Sequence, residues 1–212
     1  MPVIDLTYPL TTGMPVYPGT PPLENKPIAR LQEKGFRERL LSFCSHTGTH
    51  MDAPSHLIRQ AKTLDQFSAD HFIGNGLCID TTEMKTGVIE WEWLQHYQEA
   101  LSISEFVLLR TGWGRYWGSN RYFEGYPVLS TAAAQGLVAF ALKGVGVDAP
   151  SLDTIDAVDY PIHRILLASD TLIIENLADL DRLPEGHFGQ LCSLPLHLAG
   201  ADGAPARVVA VL

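Results

Sequence analysis

Residues 45–57 read SHTGTHMDAPSHL and place His46, His50, Asp52 and His56 within eleven positions, using three of the chain's eight histidines. The spacing of His46 and His50 would suit one face of a helix, but Thr47, Gly48 and Thr49 between them are poor helix formers and Pro54 follows soon after. The stretch therefore reads as an extended path running from a strand into a loop. On such a path His50 and Asp52, two residues apart, point to the same side, and Gly48 permits the tight turn that brings His46 back beside them. Two imidazole nitrogens and a carboxylate oxygen suit a divalent cation, zinc first and manganese second, with positions left open for water. The competing reading has each histidine hydrogen-bonded on its own, which requires several polar groups to be satisfied separately in one place. His56, beyond the stiffening Pro54, is either a further ligand or a neighbouring acid/base. With three ligands already present it takes the proton-transfer role, since an imidazole titrates near neutrality.

Composition limits what such a centre can belong to. At 212 residues, 46% apolar and 18% charged, the chain is long enough to bury a sizeable core and does not have the composition of a disordered segment. No apolar run approaches the roughly 20 residues that span a bilayer, so no membrane partner is expected. The opening MPVIDLTYPL lacks the basic and long apolar regions of a signal peptide, and a cytoplasmic location is expected. Cys44, Cys78 and Cys192 are odd in number and widely spaced, as free and mostly buried thiols of a reducing compartment would be. Acidic residues outnumber basic ones 24 to 15, for a net charge of −9, and the basic residues are scattered, which argues against a nucleic-acid partner.

Short apolar or alternating runs predict strands at VIDL, RLLSFCS, GLCIDT, EFVLLRTGW, VGVDAP, TLIIENL and ARVVAVL, with a Pro/Gly-rich crossing, MPVYPGTPP, between the first two. EWEWLQHYQEAL and STAAAQGLVAFALKG carry helical patterns; Ser130 is the N-cap of the second, and Gly144 is near its end. Trp91, Trp93, Leu94 and Leu101 read as the core and edge of the first. Interleaved strands and helices without a composition break, linker or repeat predict one α/β or α+β domain over residues 1–212. The aromatic stretch GWGRYWGSNRYFEGYP, residues 112–127, either lines a pocket or subunit contact or covers the core as a surface loop.

Other familiar signatures fail. GVGVDA, from Gly144, matches G-x-G-x-x-A but follows a helix and enters a strand, the reverse of the order that cradles a pyrophosphate. No phosphate-loop motif and no G-x-S-x-G nucleophile motif is present.

HTGTHMDAPSH, from His46 to His56, resembles the H-x-G-T-H-x-D-x-P-x-H signature of the metal-dependent cyclase family, whose best-known members are bacterial kynurenine formamidases. The similarity extends through DLTYPL, VLLRTGW, GVGVDAPSLD, HRILLASD, IIENL and GADGAPARVVAV. It implies an α/β fold of the swivelling β/β/α type, assembly as homodimers or homotetramers, and hydrolysis of an amide-type bond in a small molecule. It further implies that His46, His50 and Asp52 hold one metal ion, that Asp52 bridges to a second held by His163 and Glu175, and that His56 is the general acid/base. Taken alone, His163 reads as a surface residue at a helix start and Glu175 as a solvated strand end; His71, His96, His187 and His197 carry no functional reading.

Two positions depart from the family pattern. Formamidases have a Trp-Pro-Gly-Asp stretch at the aromatic substrate, where this chain has Tyr17, Pro18, Gly19 and Thr20; Tyr17 is thus the substrate-contact candidate. The usual phenylalanine after the last motif histidine is Leu57. Both changes alter a pocket wall and bear on whether formylkynurenine is the substrate, while leaving the ligands in place. The expected chemistry is metal-assisted hydrolysis, with water activated by the cation and the leaving nitrogen protonated by His56. The rivals are a metal-dependent lactonase or cyclic-imide (isatin-type) hydrolase, and a non-catalytic metal-binding scaffold, which would have no use for His56.

Overall fold

The computed structural model describes residues 1–84 and 87–212. Its strands are β1 (Val3–Asp5), β2 (Glu24–Ala29), β3 (Glu38–Ser42), β4 (His50–Asp52), β5 (Ile73–Asp80), β6 (Val88–Ile89), β7 (Phe106–Arg110), β8 (Val128–Leu129), β9 (Gly144–Val147), β10 (Leu172–Glu175), β11 (Gly186–Pro195) and β12 (Gly203–Val211). The α-helices are α1 (Leu31–Lys34), α2 (Trp91–Leu94), α3 (Gln98–Leu101), α4 (Thr131–Val138) and α5 (Pro161–Leu167).

Strands β5, β7, β9 and β10 run parallel and side by side, while β4, β12 and β11 are antiparallel to their neighbours. Because β4 pairs with β10 on one edge and with the start of β12 on the other, the sheet closes into a mixed barrel of seven strands, with β1 added along the end of β12. The α/β expectation is met in this form.

Strand alternation divides the core in two. On β7, Val107 and Leu109 face one apolar cluster with residues of α4 and α5, and Phe106 and Leu108 face the other with Met51, Ile174 and Val208. Both faces are buried, which is why EFVLLRTGW reads as a continuous apolar run and not as an alternating one. The β2–β3 hairpin stands apart as a separate two-stranded sheet, and its five β3 residues are all exposed.

Local chemistry explains where the elements differ from expectation. Ser130 does cap α4, its hydroxyl accepting the Ala133 N–H at 3.1 Å, but the helix stops at Val138 and not near Gly144. Ala141 turns the chain through the left-handed region (φ 52°), and Gly144 opens β9. EWEWLQHYQEAL is broken into α2, a 3-10 turn at Gln95–Tyr97 and α3; neither α-helical turn has a side-chain cap. β2 and β11 are absent from the sequence reading because prolines and glycines interrupt their alternation. In β11 the register shifts between His187 and Gln190, around Gly189 at φ 95°. All three cysteines are free as expected, but only Cys78 is fully buried. No helix among the described residues is long and apolar enough to cross a membrane.

The aromatic stretch serves both purposes considered for it. Trp113, Tyr122 and Tyr126 are buried in the core, while Phe123 lines a cavity of about 210 Å³ beside the end of β10.

Candidate metal centre

Barrel closure creates the site. β4 is a three-residue strand locked between β10 and β12, and its register sets His50 opposite both Glu175 and Pro205, and Asp52 opposite both Ile173 and Gly203. Alternation sends Met51 into the core and turns His50 and Asp52 to the cavity, as the two-residue spacing predicts. Just upstream, Gly48 adopts φ 66°, the left-handed turn that returns His46 to Asp52. His46 Nδ1 lies 2.6 Å from Asp52 Oδ1.

The two residues from the second half of the chain meet them there. Their isolated readings as solvated groups are wrong: His163 is 4% exposed and Glu175 6%, beside His50 at 3% and Asp52 at 1%. His163 Nε2 stands 3.1 Å from Glu175 Oε1 and 3.5 Å from Asp52 Oδ2. His46, His50 and Asp52 form one cluster of ligand atoms within 4.8 Å of one another, Asp52, His163 and Glu175 form a second that shares Asp52, and His46, His56 and Asp202 form a third, less buried one.

Whether these residues suit a cation is decided by His50. Its Nδ1–H donates to the Gly48 carbonyl at 2.8 Å, which leaves Nε2 as a lone pair. That atom is 3.3 Å from Asp52 Oδ1 and 3.5 Å from Glu175 Oε2, yet it is buried and makes no hydrogen bond among the described residues. An imidazole lone pair buried against two carboxylates is costly unless positive charge sits between them. The donor set of imidazoles and carboxylates fits a divalent metal ion.

Electrostatics carry the same message. Burial opposes charge on His46, but Asp52 and then Asp202 outweigh it and lift the pKa to about 9. Burial also opposes charge on His163, and hydrogen bonds to Asp153, Asp52 and Glu175 raise it well above the ordinary value. For Asp52, burial is outweighed by His46, His50 and His163, which hold the carboxyl well below the usual range. Protons on His46 and His163 thus balance the buried carboxylates, and a bound cation would displace them. His56 behaves oppositely: burial leads, the pull of Asp52 is offset by His46 and His163, and the imidazole sits below its usual value.

His56 lines the cavity, its ring centroid 4.0 Å from that of His46 and 6.4 Å from that of His163. Tyr17 also lines it, packed edge-on to Phe123 at 6.3 Å, and burial pushes its hydroxyl up to about 12, so it remains a neutral donor. His71, His96, His187 and His197 do not reach the cavity.

Three supporting residues escaped the sequence reading. Asp153 accepts the N–H groups of Ile162 and His163 at the start of α5, each at 3.0 Å, and pairs with His163 Nδ1 at 2.6 Å, which aims Nε2 at Glu175. Asn176 donates to the Gly48 carbonyl at 2.9 Å and accepts from buried Tyr122 Oη at 2.8 Å. Asp202 lies 3.1 Å from His46 Nε2. None stands at a ligand-like spacing from the residue it supports; all three fall within stretches that carry the family resemblance, GVGVDAPSLD, IIENL and GADG, but nothing in the sequence singled them out.

Comparison with known proteins agrees with this geometry. Residues 4–154, which include the whole motif and Asp153, match the family described as "Putative cyclase". A kynurenine formamidase of Salinibacter ruber is 30% identical over 212 residues, covering 99% of this chain and 97% of that protein. A solved structure described as a potential metal-dependent hydrolase with cyclase activity superposes with a TM-score of 0.82 at 30% identity, covering 99% of this chain and 96% of that one. An isatin hydrolase bound to the product analogue thioisatinate shares the fold, with a TM-score of 0.89 at 22% identity over 99% of this chain and 92% of that one.

The Gly48 turn can be tested directly. A Cβ there would meet Leu10 Cδ2 at 2.8 Å and Met14 Cε at 3.0 Å in a left-handed backbone. Gly48→Ala should cost about 1–2 kcal/mol from the backbone conformation alone, read as a lowered midpoint in denaturant unfolding of chelator-treated protein. An unchanged midpoint would show that the turn is not strained by a side chain.

Proposed function

The chain belongs to the cyclase family, and from that premise we propose that it is a metal-dependent hydrolase of a carbon–nitrogen bond in a small amide, with aryl formamides of the N-formylkynurenine kind as first candidates. The observation that carries this reading is the convergence of His46, His50, His163, Asp52 and Glu175 on one cavity, with His50 Nε2 buried there and without a hydrogen bond among the described residues. His46, His50 and Asp52 are assigned to one divalent ion, zinc before manganese, and Asp52, His163 and Glu175 to a second. When bound, the cation lowers the pKa of water to about 7, polarises the substrate carbonyl and supports the oxyanion.

The protein's own groups do the rest. His56, neutral and at the cavity wall, takes a proton from the water as its oxygen bonds to the carbonyl carbon, then delivers that proton to the nitrogen as the carbonyl re-forms and the carbon–nitrogen bond breaks. Tyr17, Phe123 and Tyr160 give the cavity aromatic walls suited to a planar ring. Retention of His56 in that wall favours an enzyme over a metal-binding scaffold.

One observation favours a second reading. Among the described residues none lining the cavity is Lys or Arg, so the carboxylate of an amino-acid substrate would meet no lysine or arginine there. A neutral cyclic amide, imide or lactone would need none. Assay of formyl-aryl amines, cyclic amides and lactones with zinc and with manganese separates the two: turnover confined to cyclic substrates would replace the formamidase reading.

The same reading takes residues 1–212 as a single domain of the swivelling β/β/α type, in the cytoplasm, assembled as a homodimer or homotetramer. Exposed Ile28, Leu31, Phe36, Leu40 and Leu41 on and around the β2–β3 hairpin support the assembly.

Purified protein should carry about one divalent ion per chain or more; protein that binds none on titration would end the hydrolase reading. His56→Ala should keep the metal and lose about a hundred-fold or more in turnover. Metal loss in that variant would make His56 a ligand, and full activity would remove it from the mechanism. Zinc titration of chelator-treated protein should resolve two binding events, and Glu175→Gln one. A single event, identical in parent and variant, would leave His163 and Glu175 as structural residues.

A further inference from the structure

Asp202 plays no part in the mechanism above, yet it touches two of its histidines. Its half-exposed side chain stands just ahead of β12 and does not line the cavity. Oδ2 lies 3.1 Å from His46 Nε2 and 3.8 Å from His56 Nδ1, and the two imidazole planes are inclined by 38°.

The ring of His46 is held between two carboxylates, Nδ1 toward Asp52 and Nε2 toward Asp202. A neutral imidazole has one N–H and one lone pair. With the proton on Nε2, donated to Asp202, the Nδ1 lone pair faces Asp52 and the assigned cation position. With the proton on Nδ1, the lone pair faces the Asp202 carboxylate instead and no ligand atom is turned inward. With a cation at the assigned position the proton is confined to Nε2 and Asp202, at 3.1 Å, is the acceptor that holds it there; without one, Asp52, at 2.6 Å from Nδ1, competes for it.

Gly203 completes the seat. A Cβ on it would come within 2.5 Å of His46 Cε1 and 2.9 Å of Nε2, so the ring lies against bare backbone. The pairing of Gly203 with Asp52 holds that backbone in place. On the other side, 3.8 Å is too long for a hydrogen bond to His56 but within ion-pair range.

We propose that Asp202 is a positioning residue shared by the metal centre and the proton shuttle: it fixes His46 with Nδ1 as the ligating atom, and its charge stabilises His56 when that residue holds the proton taken from water. The inference rests on the hydrolase reading and adds to it a residue outside both proposed ligand sets.

Calorimetric titration of chelator-treated protein with Zn²⁺, alongside kcat and KM of the metal-loaded enzyme on its best substrate, tests both halves. Asp202→Ala should weaken Zn²⁺ binding by about ten- to a hundred-fold, the usual effect of removing a carboxylate behind a metal-bound histidine. Asp202→Asn keeps an acceptor for Nε2–H but no charge. It should bind Zn²⁺ within a few-fold of the parent and lose roughly ten-fold or more in kcat at unchanged KM, with Asp202→Glu recovering part of the loss. Circular dichroism and thermal melting confirm that each variant is folded. Parental Zn²⁺ affinity in Asp202→Ala overturns the role toward His46, and parental kcat in Asp202→Asn overturns the role toward His56. A parent that binds no Zn²⁺ overturns the hydrolase reading itself, and the inference with it.

Discussion

The burial of the Asp52 carboxylate is the constraint around which the rest of the structure is arranged. A carboxylate 1% exposed is tolerable only with positive charge or several donors beside it. Here His46, His50 and His163 all approach it within 2.6–3.5 Å. Barrel closure imposes the burial: β4 cannot pair with β10 and β12 together without taking Asp52 out of water. Closure removes an open sheet edge there and in the same act gathers the ligand candidates.

The barrel also decides where the cavity lies. Ligand sites of sheets with parallel strands gather at the carboxyl ends of those strands, and Glu175 is the last residue of β10. The chain then turns sharply: Asn176 adopts φ 57° and its side chain returns to the Gly48 carbonyl. Tyr160, at φ 47° just before α5, lines the same cavity. Non-glycine residues held in the left-handed region at two corners of one cavity are the kind of local strain that surrounding structure must over-determine. At Asn176 the hydrogen bond from buried Tyr122 does this.

A common rule orients the three buried or half-buried histidines proposed as ligands. Each spends one ring nitrogen on a group away from the shared carboxylate: His50 on the Gly48 carbonyl, His163 on Asp153, His46 on Asp202. The other nitrogen faces Asp52. Oriented imidazoles of this kind are what a metal ligand requires, since the partner of the first nitrogen sets the tautomer of the second.

Much of this was legible in the chain itself. The extended path through His46–Asp52 follows from poor helix formers and Pro54, the inward pairing of His50 with Asp52 follows from strand alternation, and the buried strands follow from their apolar runs, because each depends on neighbours within a few residues. The end of α4, the break between α2 and α3, and the irregular β11 were not legible, since caps, register shifts and packing override local propensity there. His163 and Glu175 were identified by family resemblance alone, and Asp153 and Asp202 not at all. Their chemistry depends on strands and loops far apart in the chain being hydrogen-bonded side by side. A sequence by itself determined the local conformation and the kinds of donor atom available; only tertiary structure decided which of them share one buried carboxylate, because burial and through-space distance are properties of the closed barrel and not of spacing along the chain.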